Sequence, residues 1–216
     1  MTTLLVATRN AHKVQEISQI LGGKFRCLSL NDFPGAPAAV EDAETFAGNA
    51  ALKARCLAIW LAQNPEKHKG IESPFYILAD DSGLEVDALA GAPGVHSARF
   101  AAEDAAGSAN APDSANNAKL LRLLDSVPPG KRIARFHCAL AMVRLDEATG
   151  KIEFFDGACE GRIDAKPAGK GGFGYDPLFI PAGYQQSFAE LGEEIKNGLS
   201  HRAAAVKKLR SYLGEE

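Results

Sequence analysis

The sequence predicts an α/β fold built on a mixed β-sheet. Short apolar runs of strand length alternate with segments whose apolar residues recur at helical spacing. Two longer apolar runs flank a turn near Thr149-Gly150, as the strands of a β-hairpin do. In chain order, Thr3 to Thr8 reads as a buried strand. Asn10 then caps a helix striped by Val14, Ile17, Ile20 and Leu21, which Gly22-Gly23 ends. A second strand covers Phe25 to Leu30, and a Pro/Gly/Ala loop follows from Pro34 to Pro37. Thr45 opens a long helix to about Ala62. Phe75 to Ala79 reads as a short strand ending at Asp80-Asp81-Ser82-Gly83, and Asp113 as the cap of a leucine-rich helix through Leu124. The hairpin pairs Arg132 to Leu145 with Lys151 to Ala158. A glycine-rich stretch, Gly169 to Gly174, leads to a last strand at Pro177 to Pro181. Ser200 caps a terminal helix striped by Val206, Leu209 and Leu213. No repeat, low-complexity tract or linker divides the chain, so residues 1–216 are expected to form one domain, in which the hairpin region could make a second lobe.

Composition narrows the function classes. A net charge of -3 argues against a broad nucleic-acid footprint, although a few lysines gathered in one cleft could still hold a small polyanion. Cys27, Cys56, Cys138 and Cys159 contain no CxxC pair, which suits neither a zinc site nor a disulfide framework and predicts reduced thiols. The start, MTTLLVATRNAHK, lacks the long apolar stretch of a secretory leader, and no run reaches the length of a membrane span. A cytoplasmic protein with no membrane partner is the expectation.

Four segments could carry chemistry. Thr8-Arg9-Asn10-Ala11-His12-Lys13 is a polar strand-to-helix turn, where backbone amides and the helix dipole favour an anion and Lys13 adds a full charge. It is not a GxxxxGK[ST] loop, and taken alone it reads more simply as an ordinary turn with an exposed lysine. In the helix after Thr45, Phe46, Asn49, Ala50, Lys53, Leu57 and Trp60 share one face, while Ala47, Ala51, Ala54 and Ala58 share another. A lysine within an apolar stripe needs an anion, from a protein carboxylate or a ligand phosphate, unless its stem snorkels over the stripe's edge. Asp80-Asp81 sits where α/β sheets place their ligands, and carboxylates there suit Mg2+, with Glu41-Asp42 as further oxygen donors; a solvated turn is the plainer alternative. The fourth segment gathers Gly169 to Asp176, Lys196 and Ser200-His201-Arg202. Phe173 and Tyr175 could stack on a base or pack in the core. His201 and Arg202 sit at the helix end that prefers acids, which hints at an anion or base carbonyl supplied from outside, unless the helix start is merely solvated.

Together the stretches LVATRNAHKVQEI, ETFAGNAALKA, LADDSGLEVDALAGAPGVHSARFA, FGYDPLF and SHRAA resemble the inosine/xanthosine triphosphate pyrophosphatase family, in order from near residue 5 to residue 204. The resemblance implies a long mixed β-sheet with flanking helices, two lobes around a central nucleotide-binding cleft, and a homodimer. The implied activity is hydrolysis of non-standard purine nucleoside triphosphates (ITP, dITP, XTP) to the monophosphate and pyrophosphate. Asp81, Lys13 and Lys53 would be catalytic, and Mg2+ would be held by Glu41 and Asp81. Thr8, Arg9, Asn10, Ala11, His12, Lys13 and Lys53 would contact the triphosphate. Ser82, Phe173, Gly174, Tyr175, Asp176, Lys196, His201 and Arg202 would contact the nucleotide. Arg9 and His12 stand where the family commonly has glycines, and Gly48 where it often has an acid.

Base choice would follow from polarity. Donors such as Arg202, or amides near Phe173 and Gly174, would match a 6-oxo group and clash with the 6-amino group of adenine. The rival readings are a sister pyrophosphatase acting on pyrimidines, a module that binds nucleotide or RNA without cleaving it, and a structural protein. Acids at the candidate site argue against metal-free phosphate binding.

Overall fold

Side-chain alternation along three neighbouring strands sets the architecture. β1 (Thr2–Val6) pairs in parallel with β2 (Phe25–Ser29) on one side and with β3 (Phe75–Val86) on the other. With β4 (Ile133–Arg144), β5 (Ile152–Ile163) and β6 (Phe179–Pro181) they form a six-stranded sheet in the order β2-β1-β3-β4-β5-β6. β5 and β6 run antiparallel, so the sheet is mixed, as the sequence predicts. The helices are α1 (Ala11–Leu21), α2 (Phe46–Gln63), α3 (Asp113–Leu123), α4 (Phe188–Leu199) and α5 (His201–Tyr212). This computed structural model describes residues 1–71, 74–102, 110–145 and 150–214. Thr149, in the expected hairpin turn, lies outside the described residues.

The chain divides into two units. The first comprises Met1–Asp81, Cys138–Gly157 and Arg202–Glu216. Successive strand residues face opposite sides, and both sides are covered here. Leu4 and Val6 of β1, Leu78 of β3, and Cys138, Leu140 and Met142 of β4 face Ile17 and Leu21 of α1 and Val206 and Leu209 of α5. Leu5, Ala7, Ile77, Ala79 and Ala141 face Ala50, Ala54, Leu57 and Leu61 of α2. Ala54 thus belongs to the buried stripe of α2 rather than to a separate small-residue face. The side-chain oxygen of Asn10 caps α1, and Gly22 (φ 74) ends it; the Thr45 hydroxyl caps α2.

The second unit comprises Ser82–His137 and Ala158–His201. Its core gathers Leu84, Val86, Leu120, Phe136, Phe179 and Phe188. Several expectations change here. β3 does not end at Asp80-Asp81 but runs on to Val86, because Leu84 and Val86 are fully buried apolar residues that continue the alternation. β5 likewise extends past Ala158 to Ile163. Asp113 is the first residue of α3 rather than its cap, which is Pro112. The sequence reading omitted α4, although Ser187 and Glu190 close a capping box at its start. Among the described residues, no helix is long and apolar enough to cross a membrane.

Candidate active site

The two acids of β3 are neighbours in sequence and therefore point to opposite sides of the strand. Asp80 shares the parity of Leu78 and turns toward α1 and α5. Asp81 shares that of Ala79 and turns toward α2. The consequence is two separate charge clusters, both within the first unit.

Asp80, with a side chain 0% exposed, accepts from Lys13 Nζ at 2.5 Å and from Arg202 Nε at 2.8 Å, and Cys138 Sγ lies 3.4 Å from its second oxygen. Glu16 of α1 takes another arm of the Arg202 guanidinium. Burial works against charge on Asp80, but Arg202 and then Lys13 outweigh it and hold the carboxyl well below its usual range. Arg202 is itself only 1% exposed, and the opposing charges of Asp80 and Glu16 overcome its burial and keep it cationic. The anion that its place at a helix start called for is supplied by the protein, not from outside. A buried guanidinium without such partners would be strongly destabilising.

Asp81 is set differently. Its Oδ1 accepts from Lys53 Nζ at 2.7 Å, and the same ammonium reaches Glu41 Oε2 at 2.8 Å. Lys53 therefore finds its anions in protein carboxylates. Burial pushes the Asp81 carboxyl above its usual value, against the pull of Lys53 and Lys13. Lys53 is also raised, because Asp81 and Glu41 outweigh its burial. Asp81 Oδ2 is buried and has no hydrogen-bond partner among the described residues. Two adjacent carboxylic acids are thus divided into a fully satisfied anion and one with a spare oxygen and a raised proton affinity.

The same oxygen answers whether a metal ion fits. No group of three or more His, Cys, Asp and Glu side chains that could hold a metal ion occurs among the described residues. Asp81 and Glu41 offer hard oxygen donors, including the unpartnered Oδ2. Mg2+ commonly takes only one or two carboxylates and fills its remaining positions with water and substrate phosphates. The residues fit such an ion. Asp80 does not join the set, since its oxygens are committed to cations.

The turn before α1 is more self-contained than expected. Asn10 Oδ1 accepts from the amides of His12 (3.0 Å) and Lys13 (3.3 Å), and Asn10 N donates to Thr8 Oγ1 at 3.1 Å. Arg9 Nη2 donates to Ala36 O at 2.6 Å. Ala11 begins α1 beside these capped amides. Of this segment, Lys13 is the residue carried into the carboxylate cluster.

In the second unit, Asp176 organises the glycine-rich loop. Its Oδ2 accepts from Lys196 Nζ at 2.6 Å and from Phe173 N at 2.8 Å. A Cβ on Gly172 (φ +71) would lie 2.1 Å from that same oxygen, so only glycine fits. Lys196 Nζ also sits 4.6 Å from the centre of the half-buried Phe173 ring. Tyr175 is buried in the core, and its hydroxyl donates to Ser97 O at 2.9 Å, so it packs rather than offering a stacking face. Gly174 N donates to Asp113 Oδ2 at 2.6 Å. The Phe173 and Gly174 amides and Arg202, the donors expected to read a 6-oxo group, are therefore all engaged inside the protein. His201 stacks on Phe136 at 4.8 Å, and Ser82 lies half-buried on β3. The sequence marks Asp113 only as a helix cap and gives Glu16 and Asn117 no site role. Each acts on a residue far away in the chain, which leaves no local spacing signal.

Known proteins resemble this chain along nearly its whole length. A family model described as the Ham1 family matches residues 4–212. The chain belongs to the Ham1 family. It is 46% identical over 211 residues to a protein of Desulforamulus reducens named dITP/XTP pyrophosphatase, covering 97% of this chain and 94% of that one. A dITP/XTP pyrophosphatase of Geobacter sulfurreducens is 47% identical over 215 residues, 99% of this chain and 98% of the relative. Among solved structures, a HAM1 protein from Coxiella burnetii matches with a TM-score of 0.78 and 34% identity, covering 100% of both chains. The family match thus spans the stretch over which the sequence motifs are spread, and the mixed α/β sheet is common to the family's structures.

Proposed function

We propose that this chain hydrolyses dITP, ITP and XTP to the monophosphate and pyrophosphate with Mg2+ as cofactor. The observation that carries the mechanism is the spare, buried Oδ2 of Asp81 beside the Lys53–Glu41 pair. The names of the relatives, similar along nearly their full length, support the substrate class.

Asp81 and Glu41 would hold the cation, which supplies screening of the triphosphate's charge and polarisation of a phosphoryl oxygen when bound. Asp81 or a neighbouring carboxylate orients the attacking water and accepts its proton. The water oxygen bonds to the α-phosphorus, the bond from that phosphorus to the bridging oxygen breaks, and pyrophosphate leaves with the electron pair. Lys53 and Lys13 bring positive charge to the departing pyrophosphate. Asp80 positions Lys13, Arg202 and Lys13 keep Asp80 ionised, and Glu16 holds Arg202 in place.

The triphosphate contacts of Thr8 to His12, and the base contacts of Ser82, Phe173, Asp176, Lys196 and His201, rest on the motif resemblance. So do the homodimer, the nucleotide as sole partner class, the single nucleotide-hydrolysing domain over residues 1–216 and the cytoplasmic setting. A base contact by Arg202 rests on the resemblance too. The experiment is turnover of ITP by Asp81→Asn, expected to fall at least about 10^3-fold with the fold intact. Near-normal turnover would reject Asp81 as the central carboxylate.

A further inference from the structure

Two side chains of α3, outside every motif assigned above, hold the backbone of the loop that carries Phe173. Asp113 Oδ2 accepts from Gly174 N at 2.6 Å, and Asn117 Nδ2 donates to Gly174 O at 3.1 Å. The two residues are four apart and share one face of the helix, so both polar atoms of a single residue are gripped from one side. Gly174 has φ +63 and belongs to no helix or strand that would otherwise fix its peptide planes.

The helix that grips is itself anchored. Lys119 Nζ donates to Phe100 O at 2.6 Å and lies 4.3 Å over the Phe100 ring, and Asn116 Oδ1 accepts from Ala101 N at 2.8 Å. Asn117 is buried, and its Oδ1 has no hydrogen-bond partner among the described residues. Asparagine is a poor helix former, and an unsatisfied buried oxygen is costly. Stability alone gives little reason for Asn117 there. Among the described residues, its one side-chain hydrogen bond is the one to Gly174.

We infer that Asp113 and Asn117 are positioning residues that fix the Gly174 peptide and thereby set the orientation of Phe173 toward the nucleoside base. The inference rests on the base-contact role proposed above for Phe173. Loosening Gly174 weakens hold on the base while leaving the phosphate chemistry at Asp81 intact.

The test is steady-state hydrolysis of ITP by wild type, Asn117→Ala, Asp113→Ala and Asp113→Asn, with inhibition by inorganic tripolyphosphate, which has no base, and a thermal melt of each. Asn117→Ala and Asp113→Ala are expected to raise KM for ITP about tenfold, with kcat within about twofold of wild type and tripolyphosphate inhibition unchanged. Asp113→Asn keeps an oxygen acceptor and restores KM. Asp113 is exposed, so its variants remain informative if Asn117→Ala does not fold. An unchanged KM, or a parallel weakening of tripolyphosphate, would overturn the inference. Absence of ITP turnover in the wild type would instead overturn the proposed function, and the inference with it.

Discussion

Replacing the two adjacent acids of β3 one at a time is expected to lower stability to different degrees. Asp80 is fully buried and pairs with Lys13 at 2.5 Å and Arg202 at 2.8 Å. Asp80→Asn leaves the buried Arg202 charge facing Glu16 and strips Lys13 of this carboxylate's charge. Breaking a buried pair by removing one partner costs about 3–5 kcal/mol, and the surviving Glu16 contact favours the low end. For a chain of this size about 3 kcal/mol corresponds to a fall in Tm of roughly 6–12 °C. Asp81→Asn removes a carboxylate whose charge burial already disfavours despite Lys53, and it leaves Lys53 the Glu41 contact at 2.8 Å. Its expected loss of Tm at pH 7 is therefore smaller than that of Asp80→Asn, with turnover lost. The depressed Asp80 carboxyl contributes stability that is present above its unfolded value and lost as pH falls through its lower folded value. The gap between wild type and Asp80→Asn should accordingly narrow below about pH 3.9. Differential scanning calorimetry of both variants from pH 3 to 8 checks this. Equal losses of Tm at pH 7, or a larger loss for Asp81→Asn, would refute the division of roles.

Other outcomes follow from the same geometry. Gly172→Ala would force a side chain into a left-handed backbone position and against Asp176 Oδ2, and is expected to lower stability by about 2 kcal/mol or more in urea unfolding. Burial pushes the Cys138 thiol well above its usual value and that of Cys159 up to about 11, so neither is expected to be alkylated in the native protein at pH 7.5. Mass spectrometry after iodoacetamide treatment reads this directly, and rapid labelling of Cys138 would contradict it.

Much of the fold was legible because local signals agreed. Asn10 before an apolar stripe, Gly22 after it and Thr45 before α2 all act where their side chains or backbones demand. The errors share a cause: long-range partners overrode local propensity. Asp-Asp-Ser-Gly reads as a turn, yet β3 passes through it because cations from α1, α2 and α5 neutralise the acids and Leu84 and Val86 are buried beyond them. Gly192, at φ 84 within α4, obscured that helix's period although Ser187 and Glu190 marked its start. Lys13, Lys53, Glu41 and Asp81 stand out in the sequence by residue type and position, and the structure brings them into two charge clusters. The site roles of Glu16, Asp113 and Asn117 have no such signal. Each contacts a residue 57 or more positions away, at Gly174 or Arg202. Sequence spacing carries no trace of such a contact.

The most direct test of the central claim is pyrophosphate release from ITP, XTP, dITP, ATP, GTP, dTTP and UTP, each with and without Mg2+. Strong release is expected from ITP, dITP and XTP with Mg2+, weak release from the others, and little without the metal. Equal release from ATP or the pyrimidines would contradict the substrate class, and undiminished release after metal removal would contradict the role given to Asp81 and Glu41.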